Sequence, residues 1–186
     1  VLAACCGTAN AAPATYVLDP EHSFVWFEVR HFGTSTIRAR LGPAVGSVTL
    51  DRAAGRGEVN LRIATASVDT GTPVFNARLR QGDLLGSDSD PEAFFVARSI
   101  RFSGDAVAEV RGEFTLRGTS QPLALRALRF ACRATAEGSG DGGAGGEVCG
   151  GDFEGELLRS DFGMTFGLPL VGNRVGIAVF VEGVRR

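Results

Sequence analysis

The sequence predicts an all-β domain: an antiparallel sandwich or barrel of about eight strands with one short accessory helix. Three observations predict it. Apolar and polar residues alternate with period two in stretch after stretch from Ser23 to Glu182. Glycine-containing turns punctuate those stretches at the spacing of paired strands. Helical spacing is confined to one stretch of about two turns, near residues 74–81.

Taken in order, the first and clearest strand covers residues 23–31. Val25, Phe27 and Val29 fall on one pleat, and Glu28 and Arg30 on the other. The second, T-I-R-A-R-L, sets Ile37, Ala39 and Leu41 against Arg38 and Arg40 and stops at Gly42-Pro43. The third lies near 45–51. After a turn, the fourth alternates Val59, Leu61 and Ile63 with Asn60 and Arg62. Residues 71–92 break the pattern. Val74 to Gln81 reads as helix, with Phe75 and Leu79 on one face, and the polar run to Glu92 reads as loop. Strands resume at 93–102, where Phe94, Val96, Ile100 and Phe102 share parity. They continue at 107–117, where Val110, Phe114 and Leu116 do. Further strands are expected at 123–132, 151–159 and 174–182, the last carrying Val175, Ile177, Val179 and Val181.

Composition narrows the function classes. The chain has 186 residues, 44% of them hydrophobic, enough for one domain with a sizeable core. The net charge is −2 with signs interspersed, which argues against a nucleic-acid partner. Every basic residue other than histidine is arginine. No apolar run is long enough to make a membrane-spanning helix.

Residues 1–15 read as a leader, and 16–186 as the folded domain. Cys5 and Cys6 lie in the small-residue leader. Leu2-Ala3-Ala4-Cys5 resembles a bacterial lipobox, which would lipidate Cys5 and anchor the protein to a membrane. Ala9-Asn10-Ala11 resembles a signal-peptidase site. A plain alanine-rich leader is the third reading. The first two place the protein in the periplasm, lipid-anchored to the envelope, or secreted. Cys132 and Cys149 flank a glycine-rich polar tract, and a disulfide between them would tie two strands and suit an oxidising compartment. Metal binding there lacks further histidine or cysteine partners.

Motifs for chemistry are sparse. His22 and His31, nine positions apart along a strand, point to opposite faces and lie about 30 Å apart when extended, so they cannot share a metal. His31 reads as a strand-end histidine, or as a polar contact to a ligand head group. Asp88-Ser89-Asp90-Pro91-Glu92 reads as a solvated turn, not a calcium loop. No phosphate-cradling glycine loop and no nucleophile elbow occurs. No catalytic residue, metal site or cofactor is assigned. The remaining signal is apolar: thirteen phenylalanines against one tryptophan, one tyrosine and one methionine. A small barrel can be filled by such side chains or can hold a ligand.

In order and spacing the motifs resemble the YceI-like family of bacterial, mostly periplasmic proteins. The matching residues begin with Tyr16, Asp19, His22-Ser23, Phe27, His31, Gly33 and Ser35. Ser67-Val68-Asp69-Thr70-Gly71 follows, then Pro91 and Phe95, then the hairpin from Val110 to Gly118 with Pro122. Arg159-Ser160-Asp161-Phe162-Gly163 closes the series. The resemblance implies an extended, lipocalin-like antiparallel barrel that encloses a long amphiphile of polyisoprenoid or fatty-acyl type, with no catalytic activity. Phe75-Asn76-Ala77-Arg78-Leu79 departs from the family's R-D-x-H-L, and Arg78 there could favour an acidic head group. The Cys132–Cys149 insert also exceeds the family's usual pattern.

The reading that follows is a carrier of an apolar or amphiphilic small molecule. The expected ligand contacts are Val25, Phe27, Val29, His31, Ile37, Arg78, Phe114, Leu116, Phe162, Val175 and Ile177. A ligand-free envelope module is the alternative and would require a filled interior. An enzyme acting on a lipid-like substrate is a weaker reading, since no nucleophile–base pair is visible. An exposed edge strand offers a route to a homodimer.

Overall fold

The computed structural model describes residues 12–135 and 146–186. Cys5 and the two processing motifs of the leader lie outside the described residues. Ten strands follow in chain order: β1 (Ala14–Leu18), β2 (Phe24–His31), β3 (Ser35–Leu41), β4 (Ala44–Asp51), β5 (Arg56–Ala64), β6 (Glu92–Ser103), β7 (Ala106–Leu116), β8 (Thr119–Ala134), β9 (Glu147–Leu158) and β10 (Val171–Arg185). One helix, α1 (Pro73–Leu79), lies between β5 and β6. Short 3₁₀ turns occupy Thr65–Ser67 and Arg159–Phe162.

All neighbours are antiparallel, in the order β1-β4-β5-β6-β7-β8-β9-β10. A β1–β10 pairing closes the ring as an eight-strand barrel. Closure removes the unpaired edges of these eight strands, while β3 (paired with β2 and bridged once, Arg40 to Asp69) remains an edge. The β2–β3 hairpin extends the wall beyond β1 and β4. The lower part of β10 pairs with β1, as in Val17↔Val184, and its upper part with β2, as in Ile177↔Phe27. Gly46 in β4 is required where the wall bends: its φ is +143°, and a Cβ there would lie 2.0 Å from the Asn60 carbonyl oxygen.

Two sequence expectations change. β1 begins at Ala14, inside the segment read as leader. Its Ala14, Tyr16 and Leu18 are buried and Thr15 and Val17 exposed, so it alternates like the other strands but is too short to stand out. Within β6, Phe94, Val96, Ile100 and Phe102 do not share a face. Phe95, Ala97 and Ile100 are buried while Phe94 and Val96 are exposed. A β-bulge between Ala97 and Ser99 adds one residue against β7 and inverts the parity beyond it.

The lower end of the barrel is more closely filled, with only a small void inside it. Tyr16, Leu50, Val59, Ile100, Val110 and Phe153 belong to one buried cluster there. The Tyr16 hydroxyl donates to Glu147 Oε2 at 2.5 Å, and burial, followed by that carboxylate, pushes its pKa up. Nearby, Cys132 and Cys149 are direct cross-strand partners and form a disulfide spanning 17 positions. Glu147 lies beside them, but thiols bonded to each other offer no metal ligands. Replacing both cysteines with serine is expected to cost about 3 kcal/mol through chain entropy. Thermal melting should then fall by roughly 6–12 °C. An unchanged midpoint, with or without reductant, would show that the bridge adds nothing.

The β1–β2 connection is set by polar contacts. His22 Nδ1 and Asp19 Oδ2 are 2.7 Å apart, and this exposed pair raises the imidazole pKa and lowers the carboxyl pKa, chiefly through their hydrogen bond.

Candidate functional site

Above the packed floor the barrel is hollow. A cavity of about 290 Å³ lies between β2, β3, β5, β6, β7 and β10, under α1 and the loop after Phe162. Its wall presents carbon almost throughout. A smaller void of about 70 Å³ lies below, and Leu61, Phe95, Leu125 and Val179 line both. These four side chains form the partition between the hollow and the core. The volume follows from side-chain size: Ala44, Ala93 and several valines occupy inward positions where larger residues would fill a barrel of this girth.

Alternation decides which side chains reach the cavity. Val25, Phe27, Val29 and His31 enter it from β2, and Ile37 from β3. Phe114 and Leu116 enter it from β7, and Val175 and Ile177 from β10. Arg78 reaches it from α1. Phe162 does not line the cavity. It is buried behind the wall, edge-on to Phe114 with ring centroids 5.5 Å apart.

Arg78 is not a free cation. It makes two 2.7 Å contacts to the Asp83 carboxylate, donates to Gln81, and lies 4.2 Å over the Phe166 ring. The pairing with Asp83 raises the arginine pKa and lowers that of the carboxyl. Its charge is therefore already balanced, and an acidic head group would have to compete with Asp83. The spacing of Phe75 and Leu79 on α1 does bring both to the cavity.

Sequence reasoning missed wall residues on irregular segments. Leu84 and Leu85 come from the loop after α1, and Met164 and Phe166 from the loop before β10. No periodicity marks such positions. Arg159 holds the second loop in place. Only 5% exposed, it donates from Nε to the Gly172 carbonyl (2.8 Å), from Nη1 to Met164 (2.7 Å) and from Nη2 to Val171 (3.0 Å). Burial lowers its pKa, and it has no carboxylate partner among the described residues. Arg117 does the same for the first loop, donating to the carbonyls of Gly82 and Leu84.

The mouth lies at the end formed by the β2–β3 turn, α1 and the 164–171 loop. Phe32 N–H donates to the Leu170 carbonyl at 2.7 Å, which brings turn and loop together. The Arg78–Phe166 stacking brings α1 to the same loop. A chain can enter here, with its tail inside and any polar group outside, because the wall offers almost nothing to satisfy a buried polar head.

Comparison with known proteins agrees with this geometry. A family model described as "YceI-like domain" matches residues 16–183. The chain is 31% identical to Protein YceI of Shigella flexneri over 180 residues, covering 95% of this chain and 90% of that protein. The fold is shared with Burkholderia cenocepacia BcnA: TM-score 0.69, 18% identity, 89% of this chain and 98% of that one. It is shared also with a polyisoprenoid binding domain from Saccharophagus degradans: TM-score 0.67, 17% identity, 92% and 98%. With the family model covering residues 16–183, and a relative 31% identical over 95% of this chain, the chain belongs to the YceI-like family.

Proposed function

We propose that this protein binds the hydrocarbon tail of an amphiphile and carries it through an aqueous compartment outside the cytoplasm. One observation carries the reading: a carbon-lined cavity, bounded below by Leu61, Phe95, Leu125 and Val179 and open above. Such a site excludes polar groups and accepts a chain. The polyisoprenoid-binding domain of Saccharophagus degradans, of the same fold, supports the ligand class. The disulfide and the leader motifs support an exported protein, periplasmic or secreted.

The cavity sets the chain length. A dry apolar cavity of ~150 Å³ holds one benzene. By that scale 290 Å³ accommodates about a dozen carbons. Burying them stabilises the complex by roughly 10 kcal/mol at about 0.8 kcal/mol per methylene. Association costs remove about half or more. Longer tails then continue over Phe75 and Phe166 at the mouth.

Native mass spectrometry of protein from its own host, with displacement of a fluorescent fatty acid, tests this. The expected result is a co-purifying amphiphile, and probe affinity that rises with tail length until the cavity is full. Protein that is empty as isolated and takes up no probe of any length would refute it and favour the ligand-free module.

A further inference from the structure

We propose that the mouth of the barrel is a membrane-docking surface, through which tails pass directly between a lipid leaflet and the cavity. The inference rests on the tail-binding reading but concerns a different surface. Three segments form the mouth: the β2–β3 turn, the start of α1, and the loop before β10. Residues 31–37, 70–77 and 162–173 contain no Asp, Glu, Lys or Arg, in a chain of which 22% is charged. They carry instead Phe32, Val74, Phe75, Phe166 and Leu170, each between 50% and 75% exposed. A ring of exposed apolar side chains around a cavity is more than the scattered single residues that any surface shows.

The β2–β3 turn adds independent evidence. Within the three-residue connection between His31 and Ser35, Phe32 has φ +50° and Gly33 φ +67°. They are the central pair of a β-turn closed by Thr34 N–H to the His31 carbonyl, of the kind that favours Asn-Gly or Asp-Gly. Phenylalanine there is strained. Arg117, in the matching β7–β8 turn, has φ +53°, and its hydrogen bonds to the Gly82 and Leu84 carbonyls account for it. The Phe32 side chain makes an edge contact with His31 and otherwise stands largely in water. A strained, exposed aromatic at the tip of a hairpin is accounted for when the tip enters an apolar phase.

The occupant follows from the cavity. Long tails reside in bilayers, and a mouth that meets the leaflet spares the tail a passage through water. Arg30, at the base of the hairpin, and Arg80, just after α1, have no carboxylate partner among the described residues. Both border the uncharged ring and can meet lipid phosphates there. Asp69 and Asp161 flank it too, so the rim is mixed in charge and the apolar ring carries the docking.

Flotation with mixed phosphatidylcholine–phosphatidylglycerol vesicles tests this, alongside fluorescent fatty-acid binding in solution. The variants are Phe32→Ser/Leu170→Ser, neither of which lines the cavity, and Phe180→Ser, an exposed aromatic on the outer wall. The wild type and Phe180→Ser should float with the vesicles. The double variant should partition at least tenfold less while keeping its melting temperature and its fatty-acid affinity. Equal flotation of the double variant, or no flotation of a fatty-acid-binding wild type, would overturn the docking surface. So would light scattering that shows a dimer which Phe32→Ser dissolves. Flotation that depends on Phe32 and Leu170, in a protein that binds no fatty acid, would support the docking surface and refute the tail-binding reading.

Discussion

Replacing Ala93 with phenylalanine is expected to weaken binding of a sixteen-carbon fatty acid by roughly a hundredfold. Ala93 is 3% exposed, lines the cavity, and sits opposite Ile63 in the β5–β6 ladder. A benzyl group there projects into space that is now empty. On the scale of ~150 Å³ per benzene it takes about half the cavity. About six tail carbons then lose their place, a gross loss of roughly 5 kcal/mol. The tail recovers part of that by retreating towards the mouth, which leaves about 2.7 kcal/mol, or two decades in Kd. Because the ring enters a void, the fold should tolerate it better than the usual overpacked core. The check is displacement titration with probes of increasing length beside thermal melts. Full affinity for the long probe in a folded variant would mean that tails do not occupy this cavity.

Arg159→Ala is expected to destabilise the protein by about 2–4 kcal/mol. Three carbonyls lose a charged donor, each such bond being worth about 1.5–3 kcal/mol, offset in part by removal of an unpaired buried charge. Three donor contacts, one buried and two part-buried, disappear together, and the carbonyls of Met164, Val171 and Gly172 lose this partner. Lysine should rescue little, since one ammonium cannot span three carbonyls as the planar guanidinium does. The loop it holds supplies Met164, Phe166 and Val171 to the cavity, so tail affinity should fall too. Urea denaturation measures the first effect and probe titration the second. A stability loss below about 1 kcal/mol would show that water replaces the guanidinium at little cost.

The strands that build the wall were legible because each repeats a two-residue period several times. In β2 the alternation alone places Val25, Phe27 and Val29 on the cavity side. The same reasoning failed in β6, where the bulge at Ala97–Ser99 inverts the parity halfway along and nothing in the residues announces it. β1 was missed because five residues give the pattern too few repeats. Phe162, Arg78 and the two wall-building loops show a further limit. A residue type suggests a chemistry, but its partners come from distant positions: Asp83 neutralises Arg78, and Phe162 stands behind Phe114 instead of facing the cavity.

From the residues alone came the all-β class, the inward pleats of most strands, the Cys132–Cys149 bridge and the family. These are local or ordered along the chain: alternation reports the face on which a side chain lies, and motif order survives whatever the packing. Only the tertiary structure decided that the lower half is nearly filled, the upper half hollow, and the mouth ringed by uncharged apolar segments. Whether a barrel is empty depends on the summed volumes of side chains from eight strands meeting across its axis, and no stretch of sequence holds that sum.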